Sequence, residues 1–190
     1  MTSHVPAAGQ RGFTLLEVLV AMVVLSLGAM GVMGLVLHTQ QANEQALQRG
    51  RAALLVNDMI ERMRANATLT ALSRYNVGES STAPIGAGQQ QSDSDCRVAS
   101  CSSTAMAQFD LADWERQISQ AQADGKTIAD GLPEARACIT VTTKNAAREV
   151  SVTLAWRGTG AGGANNSCAS TDIATARQSI TATSRYVVNR

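Results

Sequence analysis

From Phe13 to Leu37 the chain carries a single ionisable side chain, Glu17, in an otherwise uncharged and mainly apolar run. A helix needs about twenty consecutive apolar residues to cross a bilayer, so this stretch is expected to be a membrane helix. Arg11 stands just before the run and the next positive charge is Arg49. The basic end should therefore stay in the cytoplasm while the bulk of the chain is exported. Glu17 is the anomaly. A carboxylate inside an apolar helix costs roughly 2.5 to 3.5 kcal/mol on insertion scales, which marks it as functional unless it reaches the headgroups from near the helix start. An ordinary secretory signal also begins with basic residues. Its apolar core is about 7 to 15 residues long and ends at a small-residue cleavage site, whereas this run is longer and begins with an acid.

The stretch Arg11-Gly12-Phe13-Thr14-Leu15-Leu16-Glu17-Val18-Leu19-Val20-Ala21 resembles the N-terminus of type IV prepilins. It has a short basic leader ending in glycine, then an aromatic first mature residue, then an acid at the fifth mature position. The resemblance implies cleavage between Gly12 and Phe13 by a prepilin peptidase, N-methylation of the new Phe13 amine, and a role for Glu17 in subunit assembly. Residues 1–12, which hold Pro6 and Gly9, read as a removable leader. Within the apolar run Gly28, Gly31 and Gly34 recur at helical spacing. They either offer a face where another helix can approach closely or reflect the general frequency of glycine in membrane helices.

Beyond Leu37 the chain turns polar with only Gly50 as a helix breaker. Ala42, Ala46, Ala53, Val56, Met59, Ile60 and Met63 keep a period near 3.6, which predicts one helix from Phe13 to about Ala65. Such a helix is on the order of 80 Å long, too long to be buried in one small domain. Its first half needs lipid or other subunits, and its second half should lay its apolar stripe on a globular head. Asp58, Glu61, Arg62 and Arg64 are expected on a solvated face. Val24-Leu25-Ser26-Leu27-Gly28, and the run Asp58-Met59-Ile60-Glu61-Arg62-Met63-Arg64-Ala65-Asn66, resemble the PilV-type pilus modification proteins, which are minor pilins.

The head reads as one domain, since roughly 150 residues remain after the leader and the apolar segment. Residues 78–95 are rich in Gly, Ser and Gln and predict an exposed loop. A short helix is expected at about 110–122, with Asp110 as its cap and Leu111, Trp114 and Ile118 on one face. The order of the Cys96 and Cys101 pair, followed by the Asp and Trp pattern, again resembles the PilV-type proteins. Alternating apolar residues predict strands at about 137–143 and 148–156, with Lys144-Asn145-Ala146-Ala147 as their turn. Residues 158–167 suit a flexible loop, and 178–188 a third, β-branched strand. The expected class is α+β: a long helix whose second half packs on an antiparallel sheet of three or four strands, the pilin layout that the resemblance also implies.

Four cysteines in an exported domain point to an oxidising compartment and two disulfides. Three pairings are open, and the expected set is Cys96 with Cys101, which is local, and Cys138 with Cys168, which would tie the first strand to the loop before the last. Zinc would require all four cysteines to converge, because the two histidines are His4, in the leader, and His38, at the membrane edge. An exported enzyme is the competing class. A Ser-His-Asp site would have to recruit His38, and Asp110, Asp113 and Glu115 are more simply read as capping and solvated residues. No phosphate-binding glycine loop or aromatic-interleaved basic patch occurs, and a net charge of +1 offers nucleic acid no bulk field. No catalytic, cofactor-binding or metal-ligating residue is expected.

The resulting expectation is a minor type IV pilin, incorporated into a pilus or priming its assembly in support of twitching or adhesion. A type II secretion pseudopilin is the alternative. The domains are a leader (1–12), a transmembrane half-helix (13–37), an amphipathic half-helix (38–66) and a head (67–190). The partners implied are the prepilin peptidase, other major and minor pilins, and the pilus assembly machinery of the inner membrane. The chain should cross that membrane once with its head in the periplasm, and later reach the pilus at the cell surface.

Overall fold

A computed structural model describes residues 13–78, 84–123, 132–145, 147–158, 167–169, 173 and 176–187. The expected leader, with Gly12, lies outside the described residues, as does most of the expected loop at 158–167. Three helices, α1 (Leu15–Ala65), α2 (Leu69–Tyr75) and α3 (Ser103–Ala123), precede three strands, β1 (Arg136–Lys144), β2 (Ala147–Arg157) and β3 (Arg177–Val187). The chain divides into two compact units, residues 1–43 and 44–190.

In the first unit, Thr14 opens α1. Its carbonyl accepts from the Glu17 and Val18 amides, and its Oγ1 from the Glu17 amide at 3.3 Å. Thr14 and Glu17 thus hold the first and last positions of a Thr-x-x-Glu capping sequence. From Leu15 to Leu37 every residue is exposed. The hydroxyl of Ser26 donates to the Val23 carbonyl at 2.8 Å, so this polar group is satisfied within the helix, as an apolar surrounding requires.

In the second unit the strands form an antiparallel sheet in the order β1-β2-β3. Lys144 pairs with Ala147 across a two-residue turn that starts with Asn145 at φ +48°, a left-handed conformation asparagine tolerates well. One sheet face, bearing Ile139, Val150, Val152, Leu154 and Trp156, joins a single core with Val56, Met59, Ile60 and Met63 of α1. Side chains of the head also hydrogen-bond to the helix itself. Trp114 Nε1 donates to the Leu55 carbonyl at 3.1 Å, Tyr186 Oη to the Ile60 carbonyl at 3.0 Å, and Trp156 Nε1 to Gln48 Oε1 at 3.1 Å. The opposite sheet face carries a small cluster of Ala155, Ala169 and Ile173, beside the disulfide between Cys138 and Cys168.

Several expectations need correction. The buried stripe of α1 begins at Ala52, whereas Ala42 and Ala46 are exposed, because helical period marks a face but not how far the head extends along it. The helix expected at about 110–122 starts earlier, at Ser103, and is capped by Ser102, whose Oγ accepts from the Ala105 amide at 3.2 Å. Asp110 is an interior residue of that helix and is buried. A helix absent from the sequence reading, α2, is capped by Thr68 and buries Ala71, Leu72 and Tyr75. The loop expected to be exposed at 78–95 is not wholly so. Ile85 is fully buried and exchanges two backbone hydrogen bonds with Ala137, 3.0 and 2.8 Å long, beside the β1 edge. Gly86 follows at φ +101°, where a Cβ would lie 2.6 Å from the Ala135 carbonyl oxygen, so glycine is needed both for conformation and for space.

Candidate functional site

Two sets of residues invite a functional reading. The first is the start of α1. Phe13 is exposed, and Glu17 occupies the third helical position, where a carboxylate is favoured by the positive end of the helix dipole. Beyond it lies a stretch long and apolar enough to cross a membrane. A Cβ built on Gly28, Gly31 or Gly34 meets nothing within 4 Å, so all three positions are open to a neighbour. The segment has no apolar partner among the described residues.

The second set ties the end of α1 to α3. Arg62, expected on a solvated face, is only 23% exposed and points into the head, because three carboxylates converge on it. Its Nε contacts Asp58 at 2.8 Å, and its Nη1 contacts Asp113 at 3.0 Å and Asp110 at 3.6 Å. Tyr75 Oη donates to the other oxygen of Asp110, and Asn66 Nδ2 donates to the Ser103 carbonyl at 2.7 Å. The Asp58-to-Asn66 run that carries the family resemblance is therefore also the joint between α1 and α3. Burial pushes the Asp110 carboxyl above its ordinary range, against the pull of Tyr75 and Arg62. Partial burial acts likewise on Asp113, but hydrogen bonding and charge from Arg62, with Gln117, outweigh it and hold Asp113 low. Burial, then the bond to Asp110, drives the Tyr75 hydroxyl far above its usual value.

Glu115, which the sequence reading grouped with Asp110 and Asp113 as capping or solvated residues, is buried. Its Oε1 accepts from the backbone amides of Gly86 at 2.9 Å, Gln89 at 3.2 Å and Gly88, and its Oε2 from that of Gln90. Asp110, Asp113 and Glu115 are thus parts of the scaffold. The available signals were the i,i+4 spacing of Asp58 and Arg62, and the position of Glu115 next to the apolar face of α3. The opposing glycine loop gave no comparable pattern.

Disulfides join Cys96 to Cys101 and Cys138 to Cys168, which removes all four thiols from the zinc reading. Among the described residues no group of three or more His, Cys, Asp or Glu side chains is arranged to hold a metal ion.

Residues 8–33 match the family model described as the prokaryotic N-terminal methylation motif. Residues 34–112 match the Tt1218-like model, described as type IV pilin Tt1218. The two segments adjoin, and the second ends within α3, between Asp110 and Asp113 of the Arg62 joint. Comparison with curated proteins and with solved structures gave no match.

Proposed function

We propose that this chain, which carries the type IV pilin pattern and the N-terminal methylation motif, is a minor pilin of the PilV type that enters a type IV pilus or primes its assembly. The observation that carries the reading is the fully exposed apolar segment of α1, with Glu17 one turn after Phe13, inside the methylation motif. Its role is structural. A prepilin peptidase removes residues 1–12 at the cytoplasmic face and the Phe13 amine is methylated. The segment at 13–37 anchors the chain in the inner membrane with the head in the periplasm, until the assembly machinery passes the subunit to other major and minor pilins.

Physical chemistry supplies a mechanism. A free α-amine has an unperturbed pKa of about 8 and stays cationic near neutral pH, methylated or not. In lipid that cation and the Glu17 carboxylate are each costly alone, and pairing the amine of one subunit with Glu17 of its neighbour relieves both in the assembled bundle. Pairing also favours one stagger over random helix contact.

Glu17 also terminates the capping sequence, so two roles must be separated. Glutamine serves at this capping position as well as glutamate but carries no charge. Glu17→Gln is therefore expected to leave insertion and leader cleavage intact while lowering the amount of this pilin in fibres. Blotting of membrane and sheared-fibre fractions measures both. Normal processed protein in normal fibres would remove the pairing role, and accumulation of uncleaved precursor would assign Glu17 to peptidase recognition instead. Loss of secretion with pili intact in a deletion strain would favour a type II secretion pseudopilus.

A further inference from the structure

The two edges of the sheet are treated differently. β1 is closed off: the Ala137 and Ile139 amides donate to the Ile85 and Val77 carbonyls at 2.8 Å, and the Val141 amide to Asn76 Oδ1 at 3.0 Å. Because bonding alternates along an antiparallel ladder, these outward bonds fix the phase of the whole sheet. The odd-numbered residues of β1 face outward, so its even-numbered residues bond odd-numbered residues of β2, and the even-numbered residues of β2 bond those of β3. The Gly158 amide, donating to the Ala176 carbonyl at 2.9 Å, continues that phase past the strand ends. Thr181, Thr183, Arg185 and Val187 consequently turn both N–H and C=O away from the sheet. All four residues are exposed, and among the described residues no strand pairs with this side of β3.

An edge of this kind is usually blunted by a short strand, a proline or a bulge. β3 has none of these. It is 11 residues long, against roughly 5 to 6 for an ordinary strand, holds neither Pro nor Gly, and keeps its register with β2 without interruption. A row of outward donors and acceptors on such a strand is what an extended chain pairs with when it adds to a sheet.

The side chains beside the edge select the occupant. On the face toward α1, Ile180 and Ala182 are only partly buried against the core, so apolar residues of an added strand would extend that layer. On the other face Lys144, at 2.7 Å, and Arg185, at 3.5 Å, share the single carboxylate of Glu149. Two cations on one acid leave positive charge unbalanced, and the Arg185 side chain, 64% exposed, can be reached by a further carboxylate. A second copy of β3 would bring Arg177 and Arg185 and no acid, which charge disfavours. We propose that the outer edge of β3 accepts, antiparallel, an extended segment of another protein in which apolar residues alternate with polar ones that include carboxylates. The inference does not depend on the pilus reading.

The test is fluorescence anisotropy of a dye-labelled, end-capped peptide, Glu-Val-Thr-Val-Thr-Val-Glu, added to the full chain in phospholipid nanodiscs. Saturable binding is expected. With its valines toward α1, the peptide's threonine amides face β3 and its valine amides face water. N-methylation of both threonines should therefore weaken binding about tenfold or more, and N-methylation of the valines should leave it unchanged. Thr183→Pro, tolerated because that N–H does not bond β2, should weaken binding to a similar degree, with amide spectra establishing that the fold persists. Arg185→Glu should reverse the preference for this peptide over its counterpart with lysine in place of glutamate. Absence of binding, equal or reversed effects of the two methylation patterns, or a folded Thr183→Pro that binds normally would each overturn the proposal. So would exchange protection of the Thr181, Thr183 and Arg185 amides that rises with protein concentration in the absence of peptide, which would assign the edge to a second copy.

Discussion

At the scale of the residue, the informative side chains are the carboxylates, and each is set by what surrounds it. Glu115 accepts from four backbone amides and is 3% exposed. Glu115→Ala should lower stability by about 3 kcal/mol and Glu115→Gln by about 1 to 2, since glutamine keeps one acceptor oxygen. Urea unfolding of the chain in detergent measures both, and unchanged stability of the alanine variant would contradict the assignment. Asp110 and Asp113 share Arg62 but are shifted in opposite directions. The raised Asp110 binds its proton more readily in the folded state. Its contribution to stability is therefore complete below the unfolded carboxylate value of about 4 and is lost as pH rises through its raised folded value. The lowered Asp113 contributes stability above about pH 4, and that is lost as pH falls through its depressed value. The stability gap between the native chain and Asp113→Asn should thus shrink on acidification to about pH 3, whereas the gap to Asp110→Asn should widen as pH falls toward about 4. Parallel pH profiles for the two variants would refute the opposed shifts.

At the scale of the element, α1 changes its surroundings along its length while remaining one helix. Its first turns are fixed by local chemistry, the Thr14 cap and the internal bond of Ser26. Its last turns are fixed by distant chemistry, through Trp114, Tyr186 and the Arg62 joint. The two disulfides act over unequal loops, 30 residues for Cys138–Cys168 and 5 for Cys96–Cys101. By loop entropy the first should contribute about 3 to 4 kcal/mol and the second less. The paired Cys138→Ser and Cys168→Ser substitution should therefore lower the unfolding midpoint more than Cys96→Ser with Cys101→Ser. Denaturant titration of the two variants checks the order, and equal losses would show that local strain or unfolded-state structure outweighs loop length.

At the scale of the whole molecule, the proposed life history makes a mass prediction. Protein extracted from membranes should lack residues 1–12, start at Phe13 and carry one extra methyl group, as intact-mass spectrometry would show. A chain beginning at Met1, or after a site near Gly28, would argue against the prepilin reading. By itself the sequence determined the apolar segment, the single acid within it, the alternation of the first two strands, the β-branched third and the α+β class. Each of these is a periodic or compositional property that neighbouring residues impose on one another. The tertiary structure alone decided the roles of Arg62, Asp110 and Glu115. Sequence places a charged residue on a helix, but whether it meets water or a partner depends on which element packs there. Arg62 meets carboxylates 48 and 51 positions away, and Glu115 meets a loop 25 to 29 positions earlier. Ile85 likewise lies inside because the β1 edge offers its backbone a partner, Ala137. Local pattern carries no signal of contacts at those separations, because burial and hydrogen-bond satisfaction are settled only when the helices close on the sheet.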